Sequence, residues 1–213
     1  ASRCAFCFYS RGSHAVRRLD KTSVADLITR LADAGARHFT ILEPSFNLRP
    51  DFVPLLEAIA AARYNRDLTF FAEVRADVLT ERQMDLLVEA GFTKLEAGLQ
   101  SVNTRTLARA KRCGEPESVV KACQKLKARG IELLVDIMIG LPGDTRHDVR
   151  RGAEMLRDCG LGEFVQVLPL SVLPGTSIRE DAGREGIIFE DAPPYRVIRT
   201  DRMSEADISG VIH

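Results

Sequence analysis

Apolar positions along the chain alternate between two spacings, one of three to four residues and one of consecutive or every-second residues. The first is typical of an amphipathic helix and the second of a strand. Val24, Leu27, Ile28 and Leu31 form the apolar face of the first helical stretch. The alternation predicts helices at about 22–34, 51–62, 80–90, 103–111, 116–129 and 145–158, and strands at 37–42, 68–75, 94–99, 131–139 and 164–168.

Cap residues mark the ends of several predicted helices. Thr22 or Ser23 is suited to cap the first helix, because a hydroxyl oxygen accepts a hydrogen bond from a free amide of the first turn. Thr80 and Gln83 have the spacing of a capping box, in which each side chain bonds the main chain of the other residue. Glycine follows three of the helices and predicts their ends, at Gly35, Gly91 and Gly130.

The order of the elements predicts an α/β fold with a parallel sheet. Five strands are separated by helices, and each connection is long enough for a right-handed crossover between parallel strands. The stretch from Ile131 to Ile139 is the most continuous apolar run, which suits a parallel strand covered on both faces. Periodicity alone leaves two architectures open, a barrel and an open doubly wound sheet.

Bulk composition sets loose limits on function. A chain of 213 residues with 45% hydrophobic content buries one substantial core, so one domain is expected. Thirty basic residues balance thirty acidic ones, which gives no support to a nucleic-acid or membrane-surface partner. No apolar run is long enough for a membrane span or a signal sequence. Five cysteines, an odd count, fit a reducing cytoplasm best.

The first chemical motif is the pair Cys4 and Cys7, with an aromatic residue, Phe6, between them. Two thiolates at this spacing bind one metal centre, but the same spacing describes half of a zinc site, a redox pair, an iron–sulfur ligand pair or two chance cysteines. A redox pair would follow a complete strand, and none precedes it here. A zinc site would need a second pair. The remaining cysteines do not repeat the spacing and are interpreted as small helix residues: Cys113, Cys123 and Cys159.

Unusual residues stand at the end of each predicted strand. Ligands of parallel α/β proteins bind at the carboxyl ends of strands, so these segments together favour a binding site over ordinary polar loops. The segments are Glu43-Pro44-Ser45, Glu73 with Arg75, Gly98-Leu99-Gln100-Ser101, Gly140-Leu141-Pro142-Gly143 and Leu168-Pro169.

These motifs together resemble the radical S-adenosylmethionine (SAM) enzymes. That family carries Cys-x-x-x-Cys-x-x-Cys after the first strand of a partial (β/α)6 barrel. Cys4 and Cys7 look like the second and third cysteines, with Phe6 at the aromatic position. The resemblance implies that the first strand and the first cysteine lie upstream of Ala1. It also implies a TIM-like barrel with parallel strands over residues 1–186 and the start of a carboxyl-terminal region at 187–213.

The segments after the strands resemble one branch of this family, whose members carry an amino-terminal cobalamin-binding domain. The segments concerned are Glu43 to Asn47, Glu73 to Asp77, Gly98 to Ser101, Ile139 to Thr145 and Leu173 to Thr176. Members of that branch include carbon and phosphorus methyltransferases and ring-forming enzymes. The cobalamin domain is expected upstream of this chain.

The resemblance implies a radical mechanism. Three cysteines bind a [4Fe-4S] cluster, whose fourth iron is chelated by SAM, and reductive cleavage gives methionine and a 5′-deoxyadenosyl radical that attacks an unactivated carbon. The implied partners are a small-molecule or natural-product substrate and an electron donor such as flavodoxin or ferredoxin. Three hypotheses remain: cobalamin-dependent methylation; a cobalamin-independent reaction such as methylthiolation, dehydrogenation or cyclisation; and a non-enzymatic barrel whose cysteine pair binds zinc or nothing.

The resemblance also implies roles for individual residues. The segment Glu43-Pro44-Ser45 would contact the methionine amino group of SAM, and Arg75 would hold its carboxylate or pair with Glu73 or Glu96. Gln100 and Ser101 would bond the ribose hydroxyls, or belong to a polar loop before the next helix. Met138, Ile139 and Leu168 would border adenine or simply belong to the core, and no residue is assigned as catalytic. Three histidines are interpreted as structural: His14, His38 and His147.

Overall fold

The computed structural model describes residues 4–9 and 18–210 of the chain, so His14 lies outside the described residues. Helices and strands alternate in the predicted order. The helices are α1 (Lys21–Asp33), α2 (Phe52–Arg63), α3 (Glu81–Glu89), α4 (Thr104–Arg109), α5 (Pro116–Ala128), α6 (Arg146–Asp158), α7 (Ser177–Glu180) and α8 (Glu205–Ser209). The strands are β1 (His38–Ile41), β2 (Thr69–Val74), β3 (Phe92–Gln100), β4 (Glu132–Ile139), β5 (Val165–Pro169), β6 (Ile188–Phe189) and β7 (Val197–Arg199).

The first five strands form one parallel sheet in the order β1-β2-β3-β4-β5. This confirms the predicted α/β class and the parallel arrangement. In the described residues β1 and β5 are the two edges, so these five strands do not close into a barrel. The first strand that the resemblance implies stays a prediction.

Alternation along the strands separates two faces of the sheet. On β2, Phe70, Ala72 and Val74 are buried, whereas Phe71 and Glu73 are only partly buried. On β3 the same alternation leaves alternate residues partly open, from Lys94 to Gln100. One face therefore forms the apolar core, and the other carries polar groups.

The chain divides into two compact units, and in the described residues the boundaries fall within β3, α5 and β4. The unit that contains residues 18–97 and 121–134 has an aromatic core. Phe46 lies at its centre, with ring centroids 5.2 Å from Phe52 and 5.4 Å from Phe92. Phe70 stacks on Phe39 at 5.2 Å and lies 5.3 Å from Phe92. Aromatic pairs at such distances stabilise a core beyond their buried area alone.

Helix α1 differs from its prediction in its cap and in its buried face. Asp20 is the cap, because its carboxylate accepts from the amides of Thr22 and Ser23, each at 3.0 Å. The prediction that Thr22 or Ser23 caps the helix is therefore wrong. Leu27 and Leu31 remain more than 40% exposed. They border a groove of about 400 Å³ between α1 and the edge strand β1.

The other unit contains residues 4–9, 98–120 and 135–210. In it, two short strands that the hydrophobic pattern did not predict, β6 and β7, form an antiparallel pair. Arg179 stacks between the rings of Phe189 and Tyr195 at 4.7 and 4.8 Å. Gly140, after β4, leaves room for Val197 of β7, because a Cβ atom at position 140 would lie 2.4 Å from its Cγ1.

None of the helices among the described residues combines the length and the apolar character that crossing a bilayer requires.

Candidate functional site

The predicted metal-binding cysteines lie on one tight turn. Cys4 is 5% exposed and Cys7 is partly buried, and the amide of Cys7 donates to the carbonyl of Cys4 at 3.1 Å. Ala5, between them, is anchored at both main-chain groups. Its amide donates to the carbonyl of Ala110 at 2.8 Å, and its carbonyl accepts from the amide of Ile178 at 3.0 Å. Both thiols are thus held on a fixed turn.

Aromatic residues follow the cysteine turn. Phe6, which the resemblance places beside the last cysteine, is partly buried. Phe8 and Tyr9 are 54% and 67% exposed. Among the residues that the structure describes, no group of three His, Cys, Asp or Glu side chains is placed to hold a metal ion. The described residues therefore place two thiols on this turn and contain no complete zinc site.

The carboxyl end of β3 forms a strained turn at Gln100. Its φ is +68°, and the amide of Ser101 donates to the carbonyl of Leu99 at 2.9 Å. These are the features of a γ-turn with positive φ, a rare and strained conformation for a residue other than glycine. Gly98 makes room for it, since a Cβ there would lie 2.1 Å from Gln100 Nε2. The Oε1 atom of Gln100 is buried and accepts no hydrogen bond from a described residue.

The hydroxyl of Ser101 has two partners within the protein. It donates to Asp144 Oδ1 at 2.9 Å and accepts from the amide of Asn103 at 2.9 Å. Asn103 in turn caps α4, accepting from the amide of Arg105 at 3.1 Å. Ser101 therefore joins the strained turn to the start of α4 and to Asp144, and its predicted contact with ribose stays a prediction.

Asp144 was not selected from the sequence, where it formed part of a turn motif. It is fully buried, and this burial raises the pKa of its carboxyl group to about 7. Ser101 and Thr106 oppose that rise, while the charge of Asp148 adds to it. Asp144 Oδ2 and Thr106 Oγ1 are both buried, yet they form no hydrogen bond of normal geometry. A carboxyl group in this setting is readily protonated near neutral pH.

Met138 and Leu168, both predicted to border adenine, are neighbours in the sheet. They pair directly in the register of β4 and β5. Leu168 is 38% exposed, and Met138 is partly buried. Two positions earlier, Gln166 Nε2 donates to Asp136 Oδ1 at 3.3 Å. On this face of β4 and β5, the apolar pair Met138 and Leu168 lies nearer the carboxyl ends of the strands. The polar pair Asp136 and Gln166 lies two positions nearer their amino ends.

The other unit contains the predicted segment Glu43-Pro44-Ser45, which follows β1. Glu43 is partly exposed and forms an ion pair with the buried guanidinium of Arg49 at 3.5 Å. Arg49 is also hydrogen-bonded to Asp51 at 2.8 Å. The next residue, Phe46, is buried in the aromatic core described earlier, so the segment is anchored at its carboxyl end. Sequence reasoning found the polar residues and missed this anchor.

Arg75 is held by a partner that sequence reasoning did not consider. Its guanidinium forms a two-bond ion pair with Asp77, from Nε at 2.8 Å and from Nη2 at 2.6 Å. Its side chain is about nine-tenths buried. A fork of this kind fits a carboxylate closely, and here Asp77 occupies it. The predicted contact with the carboxylate of SAM stays a prediction.

Glu73 and Glu96 are direct neighbours on β2 and β3. Burial raises the pKa of Glu73, and the negative charge of Glu96 raises it further. Two carboxylates side by side on the partly open face of a sheet make that face attractive to a cation or to a proton.

The remaining cysteines differ from one another. Cys123 lies in α5, which confirms it as a small helix residue, and its burial raises the pKa of its thiol to about 12. Cys159 caps the end of α6. Cys113 lies in the exposed connection between α4 and α5, so its interpretation as a helix residue is wrong.

Curated relatives of this chain include enzymes that act on tRNA. This chain is 28% identical over 162 residues to the tRNA uridine(34) acetyltransferase of Methanocaldococcus infernus, and the match covers 70% of this chain and 30% of that protein. It is 29% identical over 191 residues to the tRNA-2-methylthio-N(6)-dimethylallyladenosine synthase of Stutzerimonas stutzeri, covering 81% and 41%. The chain therefore spans well under half of the length of these relatives.

Solved structures share the fold. The radical S-adenosylmethionine methyltransferase TsrM from Kitasatospora setae, with tryptophan and a SAM analogue bound, superposes with a TM-score of 0.78 at 20% identity, covering 92% of this chain and 40% of that one. The cobalamin-dependent S-adenosylmethionine radical enzyme OxsB superposes with a TM-score of 0.65 at 15% identity, covering 97% and 38%. At such identities the likeness concerns the fold alone.

The family model of the Radical SAM superfamily matches residues 1–156. Because this match spans well over half of the chain, the protein belongs to the radical SAM superfamily, and this membership implies a [4Fe-4S] cluster and SAM as its cofactors.

Proposed function

We propose that the full protein cleaves SAM reductively and uses the resulting radical chemistry to methylate an unactivated carbon of a small-molecule or natural-product substrate with the help of cobalamin. The observation that carries the proposal is the anchored turn of Cys4 and Cys7 in a chain of this family. The cluster, when bound, supplies the electron that breaks a carbon–sulfur bond of SAM. This chain's residues bind and orient the reactants.

The cysteine turn fits part of a [4Fe-4S] cluster. Thiolates are the usual ligands of such clusters, and the turn presents two thiols with its main chain fixed at Ala5. Cys4 and Cys7 would each bind one iron. The third thiolate is expected from the cysteine that the resemblance places before Ala1. Phe6 would shield the cluster from water on one side of the turn.

In the same unit, Gln100 is the residue best suited to bind SAM. Its buried Oε1 is an acceptor that no described residue uses, and an N–H or O–H of a ligand would satisfy it. A ribose hydroxyl is the donor that the resemblance implies. Met138 and Leu168 offer adjoining apolar side chains to adenine.

In the other unit, Glu43, Pro44 and Ser45 are proposed to receive the methionine amino group of SAM. Glu43 is only partly neutralised by Arg49, because their closest nitrogen–oxygen distance is 3.5 Å while Arg49 bonds Asp51 more closely. A carboxylate in that state attracts an ammonium group. For Arg75 we propose a charge interaction between its guanidinium, which is paired with Asp77, and the methionine carboxylate.

An electron donor such as flavodoxin or ferredoxin is proposed to reduce the cluster. The cysteine turn continues into the exposed aromatic residues Phe8 and Tyr9. Exposed aromatic side chains are common at protein–protein contacts, so this edge of the turn is the proposed approach.

A second candidate reaction is cobalamin-independent methylthiolation. The likeness to tRNA methylthiotransferases covers 81% of this chain, which favours it over the remaining alternatives. The substrate would then be a nucleic acid, although the balanced charge of the chain gives that no support.

The two candidates are separated by the corrinoid requirement of the full-length protein. The enzyme is purified from cells grown with and without cobalamin, reconstituted anaerobically, and assayed for SAM consumption. Cobalamin-dependent methylation predicts about one corrinoid bound per chain and turnover only in the cobalamin-loaded sample. Equal turnover in both samples, with no bound corrinoid, would favour methylthiolation.

A further inference from the structure

Unsatisfied polar atoms are concentrated in one place. Among the residues that the structure describes, three buried side-chain oxygen atoms form no hydrogen bond of normal geometry: Gln100 Oε1, Thr106 Oγ1 and Asp144 Oδ2. Ser101 links two of these residues, because it follows Gln100 and donates to Asp144. Buried atoms without partners are rare in folded proteins, and their clustering indicates a constraint other than stability.

The turn at Gln100 needs external support. A residue other than glycine stays at positive φ only where its surroundings hold it there. The support comes from the next residue, whose hydroxyl bonds Asp144 on one side and the amide of Asn103 on the other. Asp144 is itself fixed, since it is fully buried and its amide donates to the carbonyl of Leu141 at 3.1 Å.

We propose that Asp144 is a positioning residue for SAM binding: through Ser101 it holds the strained turn that directs Gln100 Oε1 towards a donor group of SAM. This inference rests on the proposed function. In this proposal Asp144 does not touch the ligand, and its effect on Gln100 passes through the hydrogen bond that Ser101 donates to its Oδ1.

A purely structural role for Asp144 makes a different prediction. If it only stabilised the loop after β4, its loss would lower stability and leave the affinity for SAM unchanged in the folded fraction. If it positions Gln100, its loss lowers the affinity for SAM only while the Gln100 side chain is present. The two roles therefore separate in a double-mutant cycle.

The test uses full-length protein, reconstituted anaerobically, with SAM as the probe and equilibrium dialysis as the readout. Asp144→Ala and Gln100→Ala are each expected to weaken SAM binding about tenfold, the effect of one lost hydrogen bond. The double variant is expected to bind like Gln100→Ala alone. Asp144→Asn, whose amide oxygen still accepts from Ser101, should bind within about threefold of the wild type.

Iron content and thermal stability are measured for every variant. Ser101→Ala breaks the same hydrogen bond while leaving the carboxyl group in place, so it replaces Asp144→Ala if that variant does not fold. Tenfold weaker binding at unchanged iron content supports the inference. Wild-type affinity in folded Asp144→Ala or Ser101→Ala overturns it, as does a further loss in the double variant. Iron-loaded wild-type protein that binds no SAM would overturn the proposed function as well.

Discussion

Asn47 bonds both main-chain groups of Arg75. Its Nδ2 donates to the carbonyl of Arg75 at 2.9 Å, and its Oδ1 accepts from the amide of Arg75 at 2.8 Å. One side chain thereby reproduces the pairing that a neighbouring strand would supply, just where β2 has ended. The loop after β1, which carries the segment Glu43-Pro44-Ser45, is fixed to the end of β2 by this pair.

Replacing Asn47 should therefore destabilise the protein. Asn47→Ala leaves a buried amide and a buried carbonyl unsatisfied, and we expect a loss of about 2–4 kcal/mol in the free energy of unfolding. Asn47→Asp keeps the acceptor but places a buried carboxylate oxygen opposite the Arg75 carbonyl, so a loss of at least the same size is expected. Urea denaturation followed by circular dichroism measures both. A loss below about 1 kcal/mol in either variant would contradict the paired bonds of Asn47.

The cysteine turn predicts the iron content of the full-length protein. Reconstituted wild type should contain about four irons per chain, the content of one cubane cluster. Cys4→Ala and Cys7→Ala should each lose most of this iron and the brown absorbance. Cys113→Ala, which changes an exposed cysteine outside the turn, is the matched control and should keep the wild-type iron content. A variant of Cys4 that retains a full cluster would remove this residue from the ligand set.

Asp144 predicts a dependence of stability on pH. Its pKa is raised from 3.8 to about 7 in the folded protein, so between these values the folded state binds more protons than the unfolded state. Stability therefore falls as the pH rises through this window, by up to about 4 kcal/mol at about 1.4 kcal/mol per pKa unit. Asp144→Asn removes this titration.

The measurement is the difference in unfolding free energy between Asp144→Asn and wild type at pH 5, 6, 7 and 8. The variant should gain on the wild type with rising pH and level off above about pH 7. Contributions of other titrating groups cancel in the difference. A constant difference across this range would show that Asp144 carries an ordinary pKa.

Gly140 tests the packing of β7 against the loop after β4. Its φ is +93°, and a Cβ would lie 2.4 Å from Val197 Cγ1. Gly140→Ala should lose about 2–4 kcal/mol from backbone strain and overpacking together. In a Val197→Ala background both Cγ atoms are removed and the closest remaining atom of residue 197 is its Cβ at 3.2 Å, so the loss should be smaller. Purely additive losses in the urea unfolding of the four proteins would contradict the contact.

The hydrophobic pattern predicted the five strands of the parallel sheet, because strand and helix periods differ clearly over buried segments. The capping box of Thr80 and Gln83 was also predicted and is confirmed. The cap of α1 was not, since Asp20, Thr22 and Ser23 are all suitable cap residues and only geometry decides among them. The short strands β6 and β7 have two and three residues, which is too few for a period to show.

Only part of the candidate site could be predicted, because a sequence shows local motifs and does not show which distant residues meet. Motifs are visible in sequence, so Cys4 and Cys7 were selected by their spacing and Gln100 by its position at the end of a predicted strand. Partners that come from distant segments are not visible, and the bonds of Asp144 to Ser101 and of Asn47 to Arg75 join residues 43 and 28 positions apart. The pair of Arg75 and Asp77 is local, but nothing in the sequence ranks Asp77 above Glu73 as the partner.

The most direct test of the account is the fate of SAM. Full-length protein, reconstituted with iron and sulfide, is incubated anaerobically with dithionite and SAM, and 5′-deoxyadenosine and methionine are quantified by liquid chromatography. We expect both products in wild type and in Cys113→Ala, and neither product in Cys4→Ala or Cys7→Ala. Two results would contradict the proposed role of the cysteine turn: iron-loaded wild-type protein that leaves SAM intact, or SAM cleavage that persists in Cys4→Ala or Cys7→Ala.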